Sequence, residues 1–328
     1  MKTRLIAAVA ASLAASALLA PAPVALAADA WPAKTVRIIS PFPPGGSVDP
    51  LARLFAQHLA EPLGQSVVVE NKTGAAGSIG TADAARAPAD GYTWVVVFDT
   101  HAVNPSVIPN MSFDTKKDLA PVMLVGTSPM ALVAHVSQPW NDFAEMLAEA
   151  KKKPGELAFG SVGTGSLGHL AMTQVGDIAG TSFNHIPYRG GGPLMTDANG
   201  GQVPTAIGTV FLVSPHVKAG RLKPLAVTSS TPSPALPGTR TMAEQGVPGF
   251  EALAWWGVLA PAGTPKPIVD RMHAELTKIL AKPDVKEKLS AQGMDITASS
   301  PQAFGDFLNK EIDRWAKVVK DHNIQAGK

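Results

Sequence analysis

An α/β fold in two domains, with mostly parallel sheets flanked by helices, is what this sequence predicts, and three observations predict it. Short apolar runs alternate with amphipathic helical stretches through most of the chain. Beyond residue 265 only helical patterns remain. Two segments, 119–136 and 250–261, read as passages between domains, so that the chain leaves one domain, builds another and returns.

The elements follow in order. Residues 36–40 (Val-Arg-Ile-Ile-Ser) predict a buried strand, and 50–61 predict a helix with Leu51, Leu54, Phe55 and Leu59 on one stripe. Between them lies Pro41-Phe42-Pro43-Pro44-Gly45-Gly46-Ser47-Val48-Asp49. Adjacent glycines ahead of a helix expose backbone N–H groups, and first-turn donors lack internal partners at the positive end of the macrodipole. A carboxylate or phosphate fits such a place. Ser47 or Asp49 capping the helix is the alternative, and an acidic cap would compete with an anion. Strand 66–71 and helix 77–86 come next, joined at Gly74-Ala75-Ala76-Gly77. That turn lacks the lysine of a P-loop and can help close a cleft.

Strand 92–98 runs into Asp99-Thr100-His101-Ala102-Val103-Asn104-Pro105, read as a polar loop at a strand's carboxyl end, where ligands of open α/β sheets gather. Strands 122–125 and 130–134 meet at Gly126-Thr127-Ser128-Pro129. Helix 142–152 precedes strand 157–160, and the run from Gly160 to His169 opens helix 168–178. Within it Gly163-Thr164-Gly165-Ser166-Leu167-Gly168 matches the dinucleotide fingerprint in form, but 183–188 supply no acidic residue for a ribose. What survives is a second anion cradle of free amides with the hydroxyls of Ser161, Thr164 and Ser166. Strand 183–187 ends at Tyr188-Arg189-Gly190-Gly191-Gly192, where Arg189 is the one strongly basic side chain near these loops. Helices 190–199 and 213–218 alternate with strands 205–207, 222–228 and 255–259. Helices 266–281, 282–292 and 301–323 finish the chain, the last amphipathic through Phe304, Phe307, Leu308, Ile312, Trp315 and Val319.

The two passages assign 28–127 and 256–328 to a first domain and 128–255 to an inserted second one. A cleft between them has a hinge of two crossings, suited to closing around a solute. Ahead of both, Lys2 and Arg4 precede an apolar run and Ala25-Leu26-Ala27. This reads as a signal peptide over 1–27, cut after Ala27 or, on the repeated pattern, after Ala30. The leader's two basic residues are Lys2 and Arg4, so 26 basic residues then balance 26 acidic ones. A neutral chain has no electrostatic footprint for nucleic acid or an anionic membrane. With 0 cysteines there is neither a lipid-modified N-terminus nor a disulfide framework. A soluble, exported, monomeric protein is expected. Neither catalytic residues nor a metal or cofactor are expected: no G-x-S-x-G is present, and the 8 histidines never fall at metal-ligand spacing.

Trp31-Pro32, Val36-Arg37-Ile38-Ile39 and Phe42-x-Pro44-Gly45-Gly46-x-x-Asp49 together resemble the start of the Bug/TctC-type receptors, periplasmic solute-binding proteins of tripartite tricarboxylate transporters. The likeness continues in Leu63-Gly64-Gln65-x-Val67-Val68-Val69-Glu70-Asn71, Thr100-His101-x-x-Asn104-Pro105, Gly163-x-Gly165-Ser166-x-x-His169 and Leu259-Ala260-Pro261-Ala262-Gly263-Thr264-Pro265. It implies a type II-like periplasmic binding fold with a deep cleft, in which amides, small hydroxyls and water capture a small organic carboxylate. Carried over, the first loop falls on Phe42, Pro44, Gly45, Gly46 and Asp49, and the second-domain loop on Gly163, Thr164, Gly165, Ser166 and His169. Thr100, His101 and Asn104 line the rim. Two positions depart from the family pattern: Asp99, where relatives usually carry a small neutral residue, and Gly208-Thr209, where many carry Asp or Asn. An Asp99 that faces the cleft would repel a dianion and favour a ligand with an amine or hydroxyl. The resemblance implies a receptor that passes its ligand to integral-membrane transporter subunits; a sensor docking on a membrane kinase, or an exported hydrolase, are the alternatives.

Overall fold

The computed structural model describes residues 31–325, and the expected signal peptide over 1–27 lies outside the described residues. Strand β1 (Val36–Ser40) leads into α1 (Val48–Leu63), which buries Leu51, Phe55 and Leu59 and stops at Gly64 in left-handed backbone. Then come β2 (Val67–Asn71), α2 (Ser78–Ala85), β3 (Thr93–Phe98), α3 (Thr100–Val107) and the long β4 (Leu119–His135). After α4 (Phe143–Lys152) follow β5 (Ala158–Ser161), α5 (Leu167–Ala179), β6 (Asn184–Pro187), α6 (Gly191–Asn199), β7 (Thr205–Thr209), α7 (Val210–Lys218) and β8 (Leu222–Val227). Strand β9 (Leu253–Pro261) precedes α8 (Lys266–Ala281), α9 (Pro283–Ala291), β10 (Asp295–Ile296) and α10 (Pro301–Asp321).

The strands pair in the path β2-β1-β3-β9-β4-β7-β5-β6, with β8 and β10 also on β4. Parallel ladders join β1 to β2 and β3, and β5 to β6 and β7, as expected of strands separated by crossover helices. Strands β4 and β9 run antiparallel to their neighbours. Residues 119–129 of β4 pair with β9, whereas 130–134 pair with β7, so this one strand belongs to a first sheet and then to a second.

Three sequence expectations need correction. The strands expected at 122–125 and 130–134 are one strand: Gly126, Thr127, Ser128 and Pro129 pair in unbroken register with Trp256, Trp255, Ala254 and Leu253 of β9, and the register shifts fall earlier, at Pro121/Met123 and Leu124/Gly126. The polar loop expected over 99–105 is mostly helix α3, despite Pro105 within it. Burial of Ala102, Val103 and Val107, with α3 packed on α10, outweighs the propensity penalty. The two-residue strand β10 was not anticipated, being too short to carry a period.

Strand β9 carries two fully buried tryptophans that alternate in direction. Trp255 packs on Phe304 and Phe307 of α10, with ring centroids 5.9 and 5.6 Å away. Trp256, on the other side, lies 5.4 Å from both Phe98 at the end of β3 and Phe211 of α7. An aromatic floor therefore runs beneath the place where the two sheets' loops meet. Among the described residues, no helix is long and apolar enough to cross a membrane.

Candidate functional site

The loop after β1 is braced from behind. Asn71, the last residue of β2, donates from Nδ2 to the Phe42 carbonyl at 3.0 Å and to Asp49 Oδ1 at 2.8 Å. Arg53 Nε donates to Asp49 Oδ2 at 2.9 Å. Asp49 is thus tied to its own element and to β2, and it does not cap α1. Ser47 occupies the N-cap without a capping hydrogen bond; its Oγ accepts from Trp256 Nε1 at 3.3 Å. No side chain competes for the first-turn amides of α1. Phe42 is buried edge-on against Phe98, with centroids 6.1 Å apart.

The loop after β5 satisfies itself more fully. Ser166 caps α5 by accepting from His169 N, and its own hydroxyl donates to Ser161 Oγ at 3.1 Å. Ser161 Oγ in turn lies 3.0 Å from the Gly163 carbonyl and 2.7 Å from His185 Nε2. Two of the three hydroxyls expected to cradle an anion are therefore turned inward, since a short serine side chain reaches its own loop's backbone most easily. Thr164 alone stays on the cleft wall. His169 Nδ1 accepts from Gly165 N at 3.1 Å, and its ring stacks on His185 at 3.9 Å. Burial lowers His169 to about 4; His185 is lowered to about 3 by burial and then by the charge on His169. Both rings are neutral at ordinary pH. Gly165 sits at φ 75°, and a Cβ there would press on Val107 of α3 at 2.9 Å, which fixes this loop against the first sheet's helix.

Helix α3 and its N-cap hold four of the expected residues. His101 stacks on Phe113 at 6.2 Å, and burial lowers it to about 3; it is a core histidine outside the cleft. Thr100 is buried beside it. Asn104 Nδ2 donates to the Ala76 carbonyl at 3.1 Å and so holds the turn in which Ala75 and Ala76 both have positive φ, 45° and 51°. Asp99, at the N-cap, is 1% exposed. Burial, and then the nearby charge of Glu311, push its carboxyl well above the usual range, against the opposing N–H groups of Thr100 and Leu167.

Where the loops meet, a small, partly open space of about 20 Å³ is bounded by Gly46, Ser47 and Val48 at the start of α1, Gly191 at the start of α6, and Thr209 and Leu212 at the start of α7. Thr209 caps α7 by accepting from Leu212 N at 3.1 Å. Phe42, Phe98, Met130, Val162 and Gly208 complete the wall, and among the described residues no charged side chain faces the space. A larger open cleft of about 740 Å³ shares Phe42 and Val162 with it. Its walls are the turn at 74–77, Gly163, Thr164, Tyr188 and Arg189. Arg189 is exposed and, among the described residues, makes no ion pair. Burial, and then the Asp197 carboxylate that its hydroxyl bonds at 3.0 Å, push Tyr188 up to about 12. Pro44 and Gly45 face instead an outer groove with Gly192, His216 and Arg221.

The structure thus gathers Phe42, Gly46, Ser47, Gly163, Thr164, Tyr188, Arg189 and Thr209 around two connected spaces. It keeps Asp49, Asp99, Thr100, His101, Asn104, Ser161, Gly165, Ser166 and His169 out of the lining of both. Met130, Val162 and Leu212 escaped sequence reading because they are apolar and carry no chemical signal of their own. Among the described residues, no cluster of three histidine or carboxylate side chains could hold a metal ion.

Known proteins resemble this chain closely. The family model described as "Tripartite tricarboxylate transporter family receptor" matches residues 51–324. Protein BugT of Bordetella pertussis is 38% identical over 322 residues, covering 97% of both chains. Rpa4515 of R. palustris, solved with adipate, superimposes with a TM-score of 0.87 at 35% identity, covering 90% of this chain and 99% of that one. MatC from Rhodopseudomonas palustris, solved with bound malate, gives 0.82 at 30% identity, covering 88% and 100%.

Proposed function

Since the chain belongs to the tripartite tricarboxylate transporter receptor family, we propose that it captures a small organic carboxylate between two lobes and passes it to membrane transporter subunits. The lobes are the two sheets with their helices, 28–127 with 256–328 and the inserted 128–255, and the hinge is where β4 and β9 cross between them. The observation that carries the reading is the convergence of three helix N-termini, those of α1, α6 and α7, on one space that no charged side chain among the described residues lines. Oriented N–H groups there favour an anion without the desolvation cost of a buried cation.

In this reading the carboxylate head meets Gly46, Ser47, Gly191 and Thr209, and the rest of the ligand lies in the open cleft beside Thr164, Tyr188 and Arg189. Asp49 and Asn104 position the loops and do not touch the ligand. Charge-assisted hydrogen bonds contribute about 1.5–3 kcal/mol each, and micromolar affinity needs about 8 kcal/mol, so a handful suffices after ordering costs. Because α1 comes from one lobe and α6 and α7 from the other, a ligand reaches all three only when the lobes close, and this stabilises closure. The adipate and malate of the two relatives fit a carboxylate guest. In this reading 1–27 is a cleaved leader and the mature protein works in the periplasm.

A thermal-shift screen against mono-, di- and tricarboxylates tests the reading. At 100 times its dissociation constant, a true ligand adds about 2.7 kcal/mol to stability. Pull-down of the loaded protein with its membrane transporter subunits tests delivery. A screen in which no acid shifts the transition, with the protein folded, refutes the assignment.

A further inference from the structure

We propose that Asp99 selects the ligand, favouring an acid that also carries an ammonium group; the proposal rests on the carboxylate reading of the cleft. Asp99 stands at the N-cap of α3, on the first sheet's side. Its carboxyl faces the N–H of Leu167, the first residue of α5, on the second sheet's side. The residues around it reach the binding spaces: Phe98 lines the smaller one, and Val162, in the loop that leads to Leu167, lines both. Asp99 is therefore a carboxyl at the seam between the two lobes.

It is also a carboxyl that the protein does not satisfy. Both oxygens are inaccessible, and neither makes a hydrogen bond of ordinary geometry. Among the described residues, no lysine, arginine or histidine forms an ion pair with it. The charged group it feels most is Glu311 of α10, which repels it. A buried polar group without a partner is costly, and such groups are rare in folded proteins unless something else completes them. Part of its cover is Leu167, which belongs to the opposite lobe, so lobes that close on a guest rather than directly on each other leave the carboxyl facing that guest. A guest ammonium seated there supplies the missing donors and the missing positive charge. A dicarboxylate without an amine brings only further negative charge to the same place.

The test is calorimetric titration of the purified protein with three pairs of probes: L-glutamate and glutarate, L-aspartate and succinate, 4-aminobutyrate and butyrate. The amino member of at least one pair should bind ten or more times more tightly than its partner. Titration in buffers of differing ionisation heat should show proton release with the amino acid, because the ammonium ionises Asp99. In Asp99→Asn and Asp99→Ser the preference should fall to near unity. Equal binding of both members of each pair to the unaltered protein overturns the proposal while leaving the carboxylate reading intact, as does a preference that survives both substitutions. If none of the six acids binds, the proposal falls together with the reading beneath it.

Discussion

Gly192, the second residue of α6, faces the carbonyl oxygen of Pro44 so closely that a Cβ at this glycine would be driven into it. Beside this contact, a Cβ on Gly46 would lie 3.6 Å from Gly191 N, so the loop after β1 and the start of α6 approach backbone to backbone. Two glycine-rich segments from different sheets can come this near only because neither carries side chains.

Gly192→Ala should hold the loop after β1 and the start of α6 apart. Alanine is the better helix former by about 1 kcal/mol, so α6 itself does not suffer. The ligand found in the screen should bind at least about tenfold more weakly, a loss of about 1.4 kcal/mol. Small-angle scattering in its presence should give a larger radius of gyration than the unaltered protein. An unchanged affinity would mean that these loops need not touch in the bound state.

Asn71→Ala removes the tie between the first loop and β2. It strips one donor from both the Phe42 carbonyl and Asp49. Urea unfolding should show a loss of about 1–3 kcal/mol, with weaker ligand binding because Phe42 is no longer held. A loss below about 0.5 kcal/mol would show that water replaces the amide without penalty.

Acid should destabilise the protein through its buried histidines. An unfolded histidine titrates near 6.5, whereas His101 is lowered to about 3 by burial. Between those values the unfolded chain binds more protons, so stability falls as pH drops, by about 1.4 kcal/mol per pH unit for this residue. His101→Phe keeps the stack on Phe113 and removes the proton. Stability measured from pH 6 to pH 4 should then decline less steeply by about that amount.

Asp99 acts in the opposite sense. Its folded pKa is raised, so the stability it contributes is complete below about 3.9 and is lost as pH rises through the folded value. Ligand-free Asp99→Asn should therefore melt higher than the unaltered protein at pH 8, and the gap should close toward pH 4. Equal melting curves at both pH values would mean that the carboxyl is not desolvated.

Much of the fold was legible because local patterns carried it. The apolar stripe of α1, the run of β3 and the amphipathic face of α10 each announce their element within a dozen residues. So do the glycine loops at 45–46 and 163–165, because an exposed backbone is a property of the loop's own residues. Other features failed locally. Pro105 argued against α3, Gly126 and Pro129 argued for a break in β4, and Ser161 and Ser166 looked free until their own loop claimed their hydroxyls.

Residue order alone established the alternation of strands and helices, the family to which the chain belongs, and which loops bring backbone N–H groups to the carboxyl ends of strands. Folding in three dimensions settled which groups share a space: that α1, α6 and α7 begin around one cavity, that Asp49 and His101 turn away from it, and that the Asp99 carboxyl, among the described residues, is buried without an ion pair. The physical reason is range. Propensity and periodicity act over a few neighbouring residues, whereas desolvation and close packing depend on what distant segments bring to the same place.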